Sequence, residues 1–135
     1  KGAIAVLIAY ALGWPAEVAG AAAFLGHCFP VWLKFSGGKG VATFIGTLLA
    51  LWFPAGIFAC AIWLIVAFAF RFSSLAALAA AAASPLVLFS MSKPSFAIAS
   101  AFMAMLIFAR HHANIRRLIS GEEPKIGAKK NEAKA

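Results

Sequence analysis

Six apolar segments, separated by short breaks of proline, glycine and charge, take up most of this 135-residue chain. They lie near residues 3–13, 17–33, 40–53, 55–70, 74–90 and 95–110. Hydrophobic residues make up 64% of the sequence, whereas soluble domains contain about 45–50%. Because a soluble fold cannot bury so much apolar surface, the pattern predicts an all-α fold, a polytopic membrane bundle of about six transmembrane helices.

The segments are short for membrane helices, and one junction between them is tight. Several fall below the ~20 residues that span a bilayer comfortably, which predicts a thinned or partly re-entrant bundle. Pro54-Ala55-Gly56 interrupts the long apolar run of residues 40–70 and predicts a tight turn between two helices. We interpret residues 1–120 as the transmembrane bundle and residues 121–135 as a polar, basic tail.

The basic residues fall mostly on one side of the bundle when each segment is counted as one crossing. The residues on that side are Lys1, Lys34, Lys39, Arg71, Arg110, Arg116, Arg117, Lys125, Lys129, Lys130 and Lys134. Lys93 alone falls on the other side. The positive-inside bias therefore assigns the basic side, with the C-terminus, to the cytoplasm. Every polar cluster that could support chemistry also lies there, so the clusters can form one site.

The formal net charge of +8 limits the kinds of partner. The basic residues are scattered between apolar runs and do not form a soluble basic face, so nucleic acid is not a predicted partner. Membrane lipids with anionic headgroups, or small phosphorylated substrates, fit the charge better.

The sequence predicts neither a metal site nor a cofactor. Cys28 and Cys60 are far apart in apolar segments, without the spacing of a disulfide framework or a zinc site. His111 and His112 would point about 100° apart on a helix, with no acidic ligand within a turn. No Ser-His-Asp set is present either, so a covalent acyl-enzyme is not indicated.

A glycine-rich turn with one lysine, Gly37-Gly38-Lys39-Gly40, opens the third apolar segment. Glycines expose backbone N–H groups, the following helix offers its positive end, and Lys39 adds a full charge, which together favour phosphate binding. The alternative is a positive loop that only anchors to lipid headgroups. The order of glycines does not fit a nucleotide P-loop.

Arg71, Ser73 and Ser74 form a second cluster at the start of the fifth segment. Either serine can cap the helix that follows, and capping is the simpler interpretation. The adjacent guanidinium of Arg71 favours oxyanion binding by hydroxyl, backbone N–H and arginine together.

The third cluster follows the last apolar segment. On a helix, His111, Asn114 and Arg117 share one face, and Arg110 shares a face with Asn114 and Arg117. Arginines after a last membrane helix are common, but the added imidazole and amide favour a functional stripe. His27 lies inside an apolar segment, where an ionisable side chain is either functional or held by an interhelical hydrogen bond.

Four ordered motifs resemble those of the bacterial acyl-phosphate:glycerol-3-phosphate acyltransferases. They are Gly26-His27-x-Phe29-Pro30, Phe35-x-Gly37-Gly38-Lys39-Gly40-Val41-Ala42-Thr43, Arg71-x-x-Ser74-Leu75 and His111-x-x-Asn114-Ile115-x-Arg117-Leu118-x-x-Gly121-x-Glu123-x-Lys125. The resemblance implies an enzyme of the bacterial plasma (inner) membrane, with its site and C-terminus cytoplasmic. That enzyme moves a fatty acyl group from acyl phosphate to the 1-hydroxyl of glycerol 3-phosphate and gives lysophosphatidate. Coupling to the enzyme that makes acyl phosphate follows from the same resemblance.

The resemblance also implies roles for individual residues. The catalytic set is His111, Asn114, Ser74 and Lys39. The substrate-phosphate-binding set is Gly37, Gly38, Lys39, Gly40, Arg71, Ser73 and Arg117. The supporting set is His27, Glu123 and Lys125.

The chain departs from the family in one respect. Family members have about seven membrane helices and an earlier Ser-x-Asn-x-Gly-x-Thr-Asn-x-x-Arg motif that helps to bind phosphate, which this sequence lacks. The resemblance therefore implies an N-terminally truncated fragment whose activity depends on the missing motif. A transporter for an organic phosphate or another anion is the alternative function, although the duplicated segments expected of a transporter are absent.

Overall fold

The computed structural model describes residues 1–128, which form seven α-helices and one 3-10 turn without any strand. The helices are α1 (Gly2–Leu12), α2 (Ala16–Cys28), α3 (Val41–Leu51), α4 (Phe53–Phe70), α5 (Ser73–Ser90), α6 (Pro94–Arg110) and α7 (His112–Ser120). The 3-10 turn, Val31–Leu33, lies between α2 and α3. The all-α prediction is confirmed, and α1 to α6 each fall on one of the six apolar segments.

The helices differ in whether they can cross a bilayer. Within residues 1–128, three segments are long and apolar enough: Ala16–Leu33, Phe53–Phe70 and Ser73–Ser90. A fourth is present if α6 and α7, which meet at a bend of 61°, count as one span. Helices α1 and α3 have 11 residues each and reach only about 16 Å at 1.5 Å per residue, roughly half of a ~30 Å hydrocarbon core.

The outer surface of the bundle is strongly apolar, as a membrane protein requires. Phe68 is 82% exposed, and Leu86, Phe89 and Ile98 are 72% exposed each. Such side chains would be costly in water and are favourable against lipid tails. The interior holds a core of Phe24, Phe44, Leu48, Leu88, Met103 and Ile107. Helix α5 lies against α4, α6 and α7, so it connects the elements that form the candidate site.

The junction between α3 and α4 differs from the predicted turn at Pro54-Ala55-Gly56. The break lies at Trp52, whose backbone is extended with φ −157° and ψ 105°. Pro54 lies in the first turn of α4, where its missing N–H costs nothing and its fixed φ suits the helix. The proline therefore begins a helix and does not form the turn.

The segment after α7 lies against the bundle as far as the structure describes it. Gly121, with φ 75°, ends α7, and the Ile126 N–H then donates to the Arg71 carbonyl at 2.7 Å. Glu123 is buried. The remaining basic residues of the predicted tail, Lys129, Lys130 and Lys134, lie outside the described residues.

Candidate active site at one end of the bundle

A cavity of about 610 Å³ opens where the α2–α3, α4–α5 and α6–α7 connections meet. Its polar lining consists of Lys39, Ser73, Ser74, His111, Asn114 and Glu123. Its apolar lining consists of Val41, Ala42, Ile45, Trp63, Ala77 and Pro124. Three sequence clusters that are far apart in the chain therefore contribute to one cavity.

The glycine turn packs closely against α2, and this packing places Lys39 at the cavity. Gly40 precedes α3 with φ 79°, and a side chain there would meet the Phe24 ring. Gly37 has no room for a Cβ, because it lies directly against the backbone carbonyls of His27 and Cys28. Gly40 thus supplies the left-handed turn, whereas Gly37 permits close approach of two backbones.

A chain of hydrogen bonds joins the turn to α7 and to the segment beyond it. Lys39 Nζ donates to Asn114 Oδ1 at 2.5 Å, and Asn114 Nδ2 donates to Glu123 Oε1 at 2.7 Å. Both ends of the Asn114 amide are therefore engaged, which fixes its orientation. Asn114 is Lys39's one hydrogen-bond partner within residues 1–128, so two of its three donor positions remain for a ligand.

Glu123 receives three donors. Ser74 Oγ donates to Oε1 at 2.5 Å, and Asn114 Nδ2 donates to the same oxygen at 2.7 Å. Arg117 Nε donates to Oε2 at 2.7 Å. Burial by itself would raise the pKa of this carboxyl, but the three hydrogen bonds and the Arg117 charge outweigh it and lower the pKa from its ordinary value. Glu123 is therefore a carboxylate at neutral pH, and it holds Ser74 and Asn114 in place.

His111 lies at the bend between α6 and α7 and is 2% exposed. Its Nδ1 is 2.8 Å from the Ile107 carbonyl oxygen. Because a carbonyl only accepts, Nδ1 carries the proton and Nε2 holds the lone pair in the neutral ring. Burial, the largest influence, lowers the pKa of His111 from its ordinary value, and the Lys39 charge acts in the same direction. The imidazole is thus neutral at pH 7 and can accept a proton.

Several predicted site residues lie outside the cavity lining. Arg71 donates through Nη2 to the Ile126 carbonyl at 2.9 Å and borders a second, apolar cavity of about 370 Å³. Lys125 is exposed. His27 is half-buried, with its Nε2 next to Gly38. Among the described residues, the Arg117 side chain contacts the site through its hydrogen bond to Glu123.

Two details of the predicted clusters are wrong. The residue before α5 is Phe72, and the Ser74 hydroxyl donates to Glu123, so neither serine caps the helix with its side chain. The bend at His111 also separates Arg110 from the α7 face that carries Asn114 and Arg117. Arg110 donates instead to the Gly37 carbonyl.

Some residues of the site have only a weak signal in the sequence. Glu123 joins Ser74 and Asn114, although the motif suggested only a supporting role. Its signal was the rarity of acidic residues, four in the whole chain. Ile45, Trp63 and Ala77 carry no such signal, because they are apolar residues in apolar helices. Among residues 1–128, no group of three or more His, Cys, Asp or Glu side chains is placed to hold a metal.

The fold and the cavity define a helical integral membrane protein with a polar, lysine-bearing site at one end of its bundle. The chain belongs to the glycerol-3-phosphate acyltransferase family, whose model matches residues 1–121.

Relatives and solved structures extend this similarity. The glycerol-3-phosphate acyltransferase of Jannaschia sp. (strain CCS1) is 62% identical over 129 residues, which cover 94% of this chain and 64% of that protein. The one of Maricaulis maris (strain MCS10) is 53% identical over 135 residues, 99% of this chain and 62% of that protein. The chain thus spans less than two thirds of the length of these curated relatives.

Two crystal structures of PlsY (YgiH), an integral membrane glycerol 3-phosphate acyltransferase, have the same fold. The glycerol 3-phosphate form superposes with a TM-score of 0.85 at 34% identity, covering 91% of this chain and 64% of that chain. The lysophosphatidic acid form gives a TM-score of 0.86 at 34% identity, covering 93% and 67%.

Proposed function

We propose that this chain carries the active site of an acyl-phosphate:glycerol-3-phosphate acyltransferase. The enzyme moves a fatty acyl group from acyl phosphate to the 1-hydroxyl of sn-glycerol 3-phosphate and yields lysophosphatidate and phosphate, the first acylation step of phospholipid biosynthesis. The observation that carries the proposal is the single cavity shared by Lys39, Ser74 and His111. Family membership supports it, as do the glycerol 3-phosphate and lysophosphatidic acid forms of PlsY.

Phosphate binding is assigned to the glycine turn and Lys39. The ammonium group has donors left for an anion, and the backbone N–H groups at the start of α3 add the positive end of the helix dipole. A Cβ at Gly38 would meet the His27 ring and one at Gly40 the Phe24 ring, so both glycines permit the close packing that holds this turn. Ser73, exposed at the start of α5, is a further donor on the cavity wall.

Proton transfer is assigned to His111. The glycerol hydroxyl oxygen attacks the acyl carbon, the bond between that carbon and the phosphate oxygen breaks, and the hydroxyl proton passes to His111 Nε2. Phosphate is already a good leaving group, so the site needs mainly positioning and charge stabilisation. Asn114 and Ser74 are both held by Glu123, and the second amide N–H of Asn114 and the lone pairs of Ser74 Oγ are assigned to the reacting groups.

The acyl chain is assigned to the apolar wall of the cavity. Ile45 of α3, Trp63 of α4 and Ala77 of α5 line it together, and α4 and α5 expose large apolar side chains such as Phe68 and Leu86 on the outer surface of the bundle. An acyl group can therefore lie against these helices while its phosphate meets Lys39.

The proposed location is the bacterial plasma membrane, with the site and the C-terminus in the cytoplasm. By sequence, with each apolar segment counted as one crossing, eleven of the chain's twelve lysines and arginines fall on the same side as Lys39 and Arg110, as the positive-inside bias predicts. Cytoplasmic acyl phosphate and glycerol 3-phosphate would then reach the site directly, and coupling to the enzyme that makes acyl phosphate becomes possible.

An assay of acyl transfer with radiolabelled glycerol 3-phosphate tests the proposal in the full-length protein. We expect lysophosphatidate with acyl phosphate as donor and none with acyl-CoA. His111→Ala should remove the activity, and His112→Ala is its matched control, since His112 is exposed and bonded to the Ala109 carbonyl outside the cavity. Movement of glycerol 3-phosphate across vesicles without any lysophosphatidate would instead support the transporter.

A further inference from the structure

The back of the glycine turn lies against the negative end of a helix. Gly37 is in close contact with the carbonyl oxygens of His27 and Cys28, the last two residues of α2. The unpaired carbonyls at a helix C-terminus carry about half a negative charge. A turn that binds phosphate in front therefore has a partial negative charge behind it, which weakens anion binding unless a cation offsets it.

Arg110, the last residue of α6, places a cation behind the glycine turn. Its Nη2 donates to the Gly37 carbonyl, and its guanidinium carbon lies 5.5 Å from the centre of the Phe29 ring. This distance is within the ~6 Å range of a cation–π contact. Both partners belong to the α2–α3 connection, so Arg110 fastens that connection to the end of α6.

Arg110 is half-buried and does not line the cavity. Its Nε is buried without a hydrogen-bond partner among residues 1–128. The residue next to it is His111, the proposed proton acceptor. The Gly37 contact therefore also sets the distance between the phosphate turn and the imidazole.

We infer that Arg110 is a positioning residue for substrate phosphate. It offsets the carbonyl charge at the end of α2 and holds the Gly37 backbone, so that the following N–H groups and Lys39 face the anion. This inference rests on the proposed function and extends it to a residue that acts through the turn without touching substrate.

Steady-state kinetics of Arg110→Met, Arg110→Lys and Phe29→Leu in the full-length protein test the inference. We expect Arg110→Met to raise the KM for glycerol 3-phosphate or for acyl phosphate about tenfold, as the loss of one charged hydrogen bond predicts, with kcat within about threefold. Arg110→Lys, which keeps the charge, should recover part of the loss. Phe29→Leu should raise the same KM by about twofold to threefold. Arg116→Met is the matched control, because Arg116 is an exposed arginine on α7 outside the cavity lining, and it should leave both KM values unchanged.

Three results would overturn the inference. In the first, folded Arg110→Met protein has both KM values of the unaltered enzyme. In the second, Arg110→Met does not fold, while Arg110→Lys and Phe29→Leu leave both KM values unchanged. In the third, the unaltered protein neither binds radiolabelled glycerol 3-phosphate nor transfers acyl groups, which overturns the proposed function as well.

Discussion

The ammonium group of Lys39 donates a hydrogen bond to the amide oxygen of Asn114, 75 positions further along the chain. This contact joins the turn before α3 to α7, which approach one another only in the folded bundle. The same amide donates to Glu123, so the cation of the turn and the carboxylate after α7 are linked through one side chain. Because these groups belong to three separate parts of the chain, altering one should disturb the others.

Replacing Lys39 tests the phosphate assignment. Lys39→Met should lower kcat/KM for acyl transfer about 100- to 1,000-fold, the usual cost of losing one donor that stabilises transition-state charge. Lys34→Met is the matched control, because Lys34 is an exposed lysine outside the cavity. Near-normal activity of Lys39→Met in folded protein would show that the turn does not bind the reacting phosphate.

The rate of acyl transfer should depend on pH through His111. Burial lowers the pKa of its imidazole, and the neutral ring is the proposed proton acceptor. The value of kcat should therefore rise as pH increases through that lowered pKa, below the ordinary 6.5, and stay level above it. The kcat–pH profiles of the unaltered protein and of His112→Ala should both show this rise. A kcat that does not fall at any acid pH at which the protein stays folded contradicts the assignment.

Glu123→Gln should lower stability as well as activity. Gln removes the charge that Ser74, Asn114 and Arg117 engage, and we expect a loss of at least about 1.5 kcal/mol at pH 7. Because the folded-state pKa of Glu123 is lowered, its contribution is present above the unfolded-state pKa and is lost as pH falls through the folded-state value. Thermal unfolding in detergent measures the difference, which should shrink towards acid pH. Glu122→Gln, at an exposed carboxylate bonded to Ser120, should have little effect.

Adding one methyl group at Gly37 should damage the site, whereas the same change at Gly26 should not. A Cβ at Gly37 would collide with the His27 and Cys28 carbonyls, which belong to backbone and cannot rotate away. A Cβ at Gly26 meets nothing within 4 Å. We expect Gly37→Ala to raise the KM for the phosphate substrate held by the turn and to lower the thermal unfolding temperature. Equal behaviour of the two variants would show that the turn is loosely packed.

Arg71→Met distinguishes two roles for this arginine. The structure pairs Arg71 with Ile126 through both backbone and side chain, so its loss should speed amide hydrogen exchange of residues 121–128. The KM values should change less than about threefold, since a side chain outside the cavity makes no charged contact to substrate. A tenfold rise in KM with unchanged amide exchange would support the phosphate-binding role that the sequence predicts for Arg71.

The sequence alone determined the class of fold and the approximate positions of α1 to α6. Apolar segments of a given length form membrane helices because each must satisfy its own backbone hydrogen bonds in lipid, and this constraint is local. The sequence also identified the glycine turn and the residues His111 and Asn114 as candidates, since glycine with lysine, or imidazole with amide, is rare at the edge of an apolar segment.

Only the tertiary structure decided how these candidates combine. Glu123 is buried because Ser74 and Arg117 reach it from α5 and α7, contacts that local sequence does not encode. The contacts of Arg110 and Arg71 are likewise not encoded locally, because in the sequence both are simply basic residues at helix ends. Arg110 holds the glycine turn and Arg71 holds the segment after α7, because the packing angles of the helices set which carbonyl each guanidinium can reach.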